Sequence, residues 1–144
     1  MAQVKGKFGR QYRGIGYNAL VTVEVAEDAQ SSCSEVMFAD DRSGWRAYGW
    51  VGDGDKDWRQ GAVLGVQYAL RVGEQVGHCV TVVRIEGDYT VTNPTIVGAA
   101  AMDGVWQSVG YKPSLAEVQR IEEIVFSSWQ YPDALPDFER NAVT

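Results

Sequence analysis

Residues 19 to 25, "ALVTVEV", set Leu20, Thr22 and Glu24 on one side of an extended chain and Val21, Val23 and Val25 on the other. Strict alternation of this kind is the pattern of a half-buried strand, because only a period of two sorts apolar from polar side chains in that way. The chain is thereby committed to a sheet with one covered face. Upstream, residues 4–11 form a second strand candidate, and "GIG" at 14–16 supplies permissive backbone for a turn between the two. An N-terminal hairpin is expected. "SEVMFA" at 34–39 is a third candidate. "GWRAYGWV" at 44–51 is a fourth, with Trp45, Ala47 and Gly49 on one face and Arg46, Tyr48 and Trp50 on the other.

Helical spacing begins after "GDGDKD" at 52–57, a turn that places Asp57 as N-cap ahead of Trp58, Ala62, Val66, Ala69, Leu70 and Val76. Gly61 and Gly65 interrupt this helix. Each costs about 1 kcal/mol against alanine, so a close approach of the helix to the sheet is expected to offset them. "HCVTVVRI" at 78–85 is a β-branched strand, and "EGD" at 86–88 is expected to turn it. In "TNP" at 92–94, Asn93 is the N-cap and Pro94 the first residue of a helix, "TIVGAAAMDGVWQSVG", that is too apolar to lie wholly on a surface. Ser114 and Glu117 make a capping box for a third helix with Leu115, Val118, Ile121, Val125 and Trp129 as its buried stripe. The tail after Tyr131, with Pro132 and Pro136, reads as irregular. A helix between two strands implies a parallel βαβ element in an otherwise antiparallel sheet. The fold class is α+β: a two-layer sandwich of an about four-stranded mixed sheet and two packed helices, with an extra C-terminal helix.

Charge narrows the partner classes. The chain is 144 residues long with a formal charge of -6, yet residues 1–13 carry Lys5, Lys7, Arg10 and Arg13 and no acid. The rest holds 9 basic and 19 acidic residues, a balance of -10, so nucleic acid could be met only through the N-terminal end. There is no run of eighteen apolar residues and no leader pattern, which implies a cytoplasmic protein without a membrane span.

Catalytic patterns are missing from the sequence. Neither GxxxxGK[ST] nor GxGxxG occurs, so no nucleotide is expected. The lone histidine, His78, opens an apolar strand, and the next residue, Cys79, points to the opposite face, so the two form no nucleophile–base pair. With Cys33 the only other cysteine, reduced core thiols are expected rather than a disulfide. Asp53, Asp55 and Asp57 look like the opening of a calcium loop but lack a glutamate at the twelfth position, and they are read as a capped turn. No catalytic, cofactor or metal residue is assigned, and a binding protein is expected rather than an enzyme.

With these segments in hand a resemblance can be stated. "VKGKFGRQYRGIGYNALVTVEV" resembles the first hairpin of domain IV of translation elongation factor G, where a G-K-F-x-R-Q strand leads into a glycine-rich loop and a valine-rich strand. "DWRQGAVLGVQYAL" resembles that domain's first helix, and "CVTVVRIEGDYTVTNPTIVGAAAMDGVW" its next strand, tip loop and second helix. The similarity covers residues 3–110 in order, so residues 1–110 are taken as the domain IV-like unit and 111–144 as a C-terminal helix and tail packed on it. The resemblance implies a ribosomal protein S5 domain 2-like fold, with the loops at Arg13–Tyr17 and Gly87–Asn93 together at one tip. Two departures stand out. Ile15 replaces an arginine of the family's loop, and Thr90 replaces a histidine of its tip. No GTPase domain lies in these residues.

Two functions of different classes follow. The first is a binding protein for a basic protein partner, of the antitoxin or immunity type, using Arg46, Tyr48 and Trp50 as an aromatic centre rimmed by Asp53 and Asp55. The second is a ribosome- or RNA-associated accessory factor using Lys5, Lys7, Arg10, Arg13, Tyr89 and Thr90. The basic end itself has two readings, the solvated side of an edge strand or an inherited phosphate-binding strip.

Overall fold

The computed structural model describes residues 3–27, 35–38, 46–48, 53–73, 78–88 and 90–139. The alternating segment lies in β2 (Ile15–Glu27), paired antiparallel with β1 (Gln3–Tyr12) in unbroken register from Gln3↔Glu24 to Tyr12↔Ile15. The turn is tighter than "GIG" implied. It consists of Arg13 and Gly14, at φ 52° and 78°, and Gly16 already belongs to β2. Two left-handed central residues match the twist of the flanking strands, and glycine takes one of them without steric cost.

β2 pairs antiparallel with β5 (His78–Asp88), with a bulge between Thr22 and Val23. β3 (Glu35–Phe38) and β4 (Arg46–Tyr48) run parallel to β5 on its other side, β3 against Cys79–Val82 and β4 against Glu86–Asp88. The two short strands follow one another along one edge, so the mixed sheet has four rows, with β1 at the opposite edge. The expected turn at "EGD" is displaced, because Gly87 is held in the ladder opposite Ala47 of β4. The chain reverses only afterwards, where Val91 and Thr92 donate to the Asp88 carbonyl.

α1 (Asp53–Val72) crosses between β4 and β5, and α2 (Pro94–Val109) follows β5. α1 begins at Asp53, so Asp57 is inside the helix rather than its cap. The acidic residues read as a turn occupy the first helical turns, where negative charge complements the helix dipole. Trp58, Ala62, Val66, Ala69 and Leu70 are buried as their spacing requires, whereas α1 ends at Val72 and Val76 lies outside the described residues.

Gly61 and Gly65 serve a different neighbour from the expected one. A Cβ on Gly61 would sit 2.2 Å from the Pro94 carbonyl oxygen, and one on Gly65 2.1 Å from that of Gly98. The close approach is therefore helix to helix. α2 is wrapped by α1, β1 and β2, with residues on every side of it buried. Gly6 lets the edge strand touch it directly, for a Cβ there would fall 2.0 Å from the Ala100 carbonyl oxygen.

The caps expected at Asn93 and Ser114 are present, although the Glu117 carboxylate turns to Tyr68 and Arg120 and does not complete the capping box. Asn93 Oδ1 accepts from Ile96 N–H at 3.0 Å, Pro94 opens α2, and Gly110 closes it in the left-handed region. Ser114 Oγ accepts from Glu117 N–H at 3.1 Å to start α3 (Leu115–Phe126). The stripe of α3 is narrower than its spacing implied. Ile121, Ile124 and Val125 are buried, whereas Leu115 is 72% exposed on the first turn, beyond the reach of the sandwich. A short 3-10 helix, Ser128–Gln130, and an irregular tail complete the described chain.

Candidate functional site

The β1–β2 hairpin and the loop after β5 meet at one end of the sheet. Asn18 N–H donates to the Val91 carbonyl at 2.8 Å, and the Thr92 hydroxyl donates to the Asn18 carbonyl while accepting from Asp88 N–H at 2.9 Å. Thr92 is thus buried with its hydrogen-bonding capacity filled. Asp88 closes the loop from the other side: its Oδ1 accepts from Thr90 N–H at 2.9 Å and from the Thr90 hydroxyl at 2.8 Å. These bonds hold the Asp88 carboxyl below the usual carboxylate range, the backbone bond most strongly.

The end of α3 clamps the base of this tip. The Phe126 ring stacks on Tyr12 at 4.4 Å and meets Tyr17 and Phe8 edge-on at 5.1 and 6.4 Å. The Tyr17 hydroxyl donates to the Phe126 carbonyl at 3.0 Å, and its pKa is pushed up by burial and then by Tyr12. Trp129 Nε1 donates to the Gly16 carbonyl at 3.2 Å, and Asn93 Nδ2 donates to Ser128 Oγ at 2.9 Å. The two glycine-bearing loops, α2's N-terminus and α3's C-terminus are thereby one hydrogen-bonded unit.

The basic residues are divided by the strand's alternation. Lys5 and Lys7 look out from the open sheet face, Lys5 in register with Thr22 and Arg84, Lys7 with Leu20 and Glu86. The Lys7 stem runs past Gly9, its Cε 2.9 Å from where a Cβ of Gly9 would be. Arg10 points to the helix side, 3.8 Å from Glu122 and over the Phe8 ring at 5.7 Å. Arg13 stands at the turn over Tyr12, 5.2 Å from its centroid, with Thr90 exposed in the facing loop. The four cations line no single row. Tyr89 lies outside the described residues.

Of the acidic-rimmed aromatic set, Arg46 and Tyr48 are placed by β4 in register with Glu86 and Asp88, and Asp53 and Asp55 open α1 directly after it. Their side chains, and Trp50 as a whole, lie outside the described residues. Because Tyr48 pairs with Asp88, which holds Thr90, the two sites separated in the sequence reach the same end of the molecule. Glu86 and Asp88 are additions to the acidic group that pattern reading missed, since only the β4–β5 pairing reveals them.

Among the described residues no group of three His, Cys, Asp or Glu side chains is arranged to hold a metal, and no helix is long and apolar enough to cross a membrane. No family model matches the sequence, and no curated protein matches it. The fold is similar to that of the protein ttk003000868 from Thermus thermophilus: TM-score 0.55, 16% identity, over 74% of this chain and 15% of that one. Streptococcus pneumoniae phosphomevalonate kinase aligns over 92% of this chain and 44% of its own at 10% identity, with a TM-score of 0.39.

Proposed function

We propose that this chain is a non-catalytic binding module with an elongation factor G domain IV-like fold whose tip end engages a basic protein partner, as an antitoxin or immunity-type inhibitor does. The observation that carries the reading is the register of β4 on β5, which sets Glu86 and Asp88 beside the strand of Arg46 and Tyr48 at the mouth of α1, where Asp53 and Asp55 stand. Four acidic positions, two on β5 and two in the first turn of α1, thus belong to one end of a chain of net charge -6. Clustered like charge raises the encounter rate with an oppositely charged surface and suppresses wrong partners.

A second reading, an RNA- or ribosome-associated factor, is favoured by one observation. Arg13 adopts φ 52°, a conformation that costs a non-glycine residue about 1 kcal/mol and that asparagine tolerates better. An arginine held there over the Tyr12 ring, whose other neighbour is Phe126, presents a cation at the turn of the tip.

The readings separate by charge reversal. Asp53→Lys with Asp55→Lys should abolish capture of a basic protein encoded beside this chain, while Lys5→Ala, Lys7→Ala, Arg10→Ala and Arg13→Ala together should leave capture intact. Retention of RNA that is lost in the quadruple variant, with the salt slope falling by roughly one per phosphate contact removed, would install the second reading instead.

A further inference from the structure

A groove of about 500 Å³ runs along the flank of the molecule between β1, α2 and the first turns of α3. Its walls include Phe8, Met102, Trp106, Tyr111, Val118 and Ile121, so the floor is apolar, aliphatic and aromatic in equal part. Its rim carries charge of both signs, and most of it is engaged within the protein. Asp103 Oδ2 accepts from Lys7 N–H at 2.9 Å and from Gln107 Nε2 at 2.7 Å, and Glu122 lies 3.8 Å from Arg10. Two rim lysines have no ion-pair or side-chain hydrogen-bond partner among the described residues: Lys7, whose side chain leaves by the open sheet face, and Lys112, exposed at the groove on the connection between α2 and α3. Trp106 donates its own N–H to the Ala69 carbonyl at 3.1 Å and packs its ring against Tyr111, so it brings no unanswered polar group to the groove.

We infer that this groove is a binding site for an amphipathic monocarboxylate, its apolar body on the Phe8, Met102, Trp106 and Ile121 floor and its carboxylate at Lys112. The volume falls within the roughly 300–1,000 Å³ typical of small-molecule sites, and an apolar lining with one unanswered polar group fixes the orientation of a ligand that has one polar end. A second cation at the rim would favour a dianion, but Arg10 faces Glu122 at 3.8 Å and the Lys7 side chain leaves by the open sheet face. The site lies on the β1 flank, opposite the β4 edge, so it does not depend on the basic-partner reading.

Dodecanoate is the probe, titrated calorimetrically below its micelle concentration into the full chain, with dodecanol as the uncharged counterpart. Lys112→Glu alters an exposed side chain and leaves the fold unchanged, and Val118→Trp fills the groove from a half-buried position. The expected result is dodecanoate binding that weakens about tenfold or more in Lys112→Glu, dodecanol binding that does not, and loss of both in Val118→Trp. Thermal melts of both variants separate lost binding from lost folding. Absence of dodecanoate binding to the unaltered chain would overturn the proposal. So would affinity indifferent to either substitution, or recognition only of an acidic peptide with an aromatic end, which would make the groove a protein-docking surface.

Discussion

At the scale of single residues, this fold is constrained most where side chains are absent. Gly65→Ala improves helix propensity by about 1 kcal/mol, yet its methyl would stand 2.1 Å from the Gly98 carbonyl oxygen, backbone that cannot swing aside. Forcing two packed helices apart costs typically 1–3 kcal/mol or more, so the variant should be less stable by roughly 2 kcal/mol in urea titration. A gain in stability would show that α1 and α2 are not in contact through this seam. Arg13→Asn works in the opposite direction, relieving a left-handed arginine and creating the preferred Asn-Gly turn, and should raise stability by about 0.5 kcal/mol. Tyr68 supplies a pH test. Its hydroxyl donates to Glu117 and accepts from Arg120, and its pKa is pushed up to about 12, by burial first and the Glu117 bond second. The folded pKa exceeds the unfolded value near 10, so the associated stability is complete below pH 10 and lost as pH rises toward 12. Tyr68→Phe should melt with a shallower decline than the parent between those values. Parallel declines would mean that the phenol is not the group responsible.

Whole elements are legible in the sequence wherever their signal is local. The hairpin of β1 and β2, the caps at Asn93 and Ser114, and the apolar character of α2 follow from alternation, side-chain acceptors and composition, all of which act within a few residues. What escapes depends on the neighbour an element meets. Glycine and aspartate are turn formers, which points to a cap at Asp57, but α1 starts four residues earlier at Asp53. "EGD" continues as strand because β4 pairs with it, and the glycine face of α1 meets α2 because α2 sits between that helix and β1. The tip follows the same rule. Its loops can be named from the resemblance, whereas the clamp of α3 upon them cannot, since Phe126 and Trp129 lie more than a hundred residues from their partners Tyr17 and Gly16. Phe126→Ala removes three ring contacts at once and should cost about 3 kcal/mol, with faster amide exchange through residues 10–18. Unchanged exchange in the hairpin would show that the tip is ordered without α3.

For the molecule as a whole, residues 3–110 hold the described strands and both sandwich helices, but the core does not stop there. Ile121, Ile124, Val125 and Phe138 belong to the same buried cluster as the sheet valines, and the Phe138 ring fills the space over Gly98, 2.6 Å from where a Cβ would be. Arg120 ties the segment down further, donating to the Phe138 carbonyl at 2.7 Å and to the Tyr68 hydroxyl of α1. Burying each such apolar side chain contributes roughly 1.5–3 kcal/mol, so the four together are worth roughly 6–12 kcal/mol. That is comparable to the whole stability of a typical domain, about 5–15 kcal/mol. The boundary at residue 110 is therefore one of topology and not of energy. A chain cut after residue 110 should lose its cooperative melt and expose the seam of α1 and α2 to a hydrophobic dye, even though every strand and both sandwich helices remain in its sequence. Addition of a peptide spanning 111–139 should restore the melt in proportion to its concentration, as expected for a segment that binds only the folded form. A truncated chain that melts sharply within a few degrees of the parent would show that α3 is an appendage, and that the aromatic clamp at Phe126 steadies the tip without holding up the core.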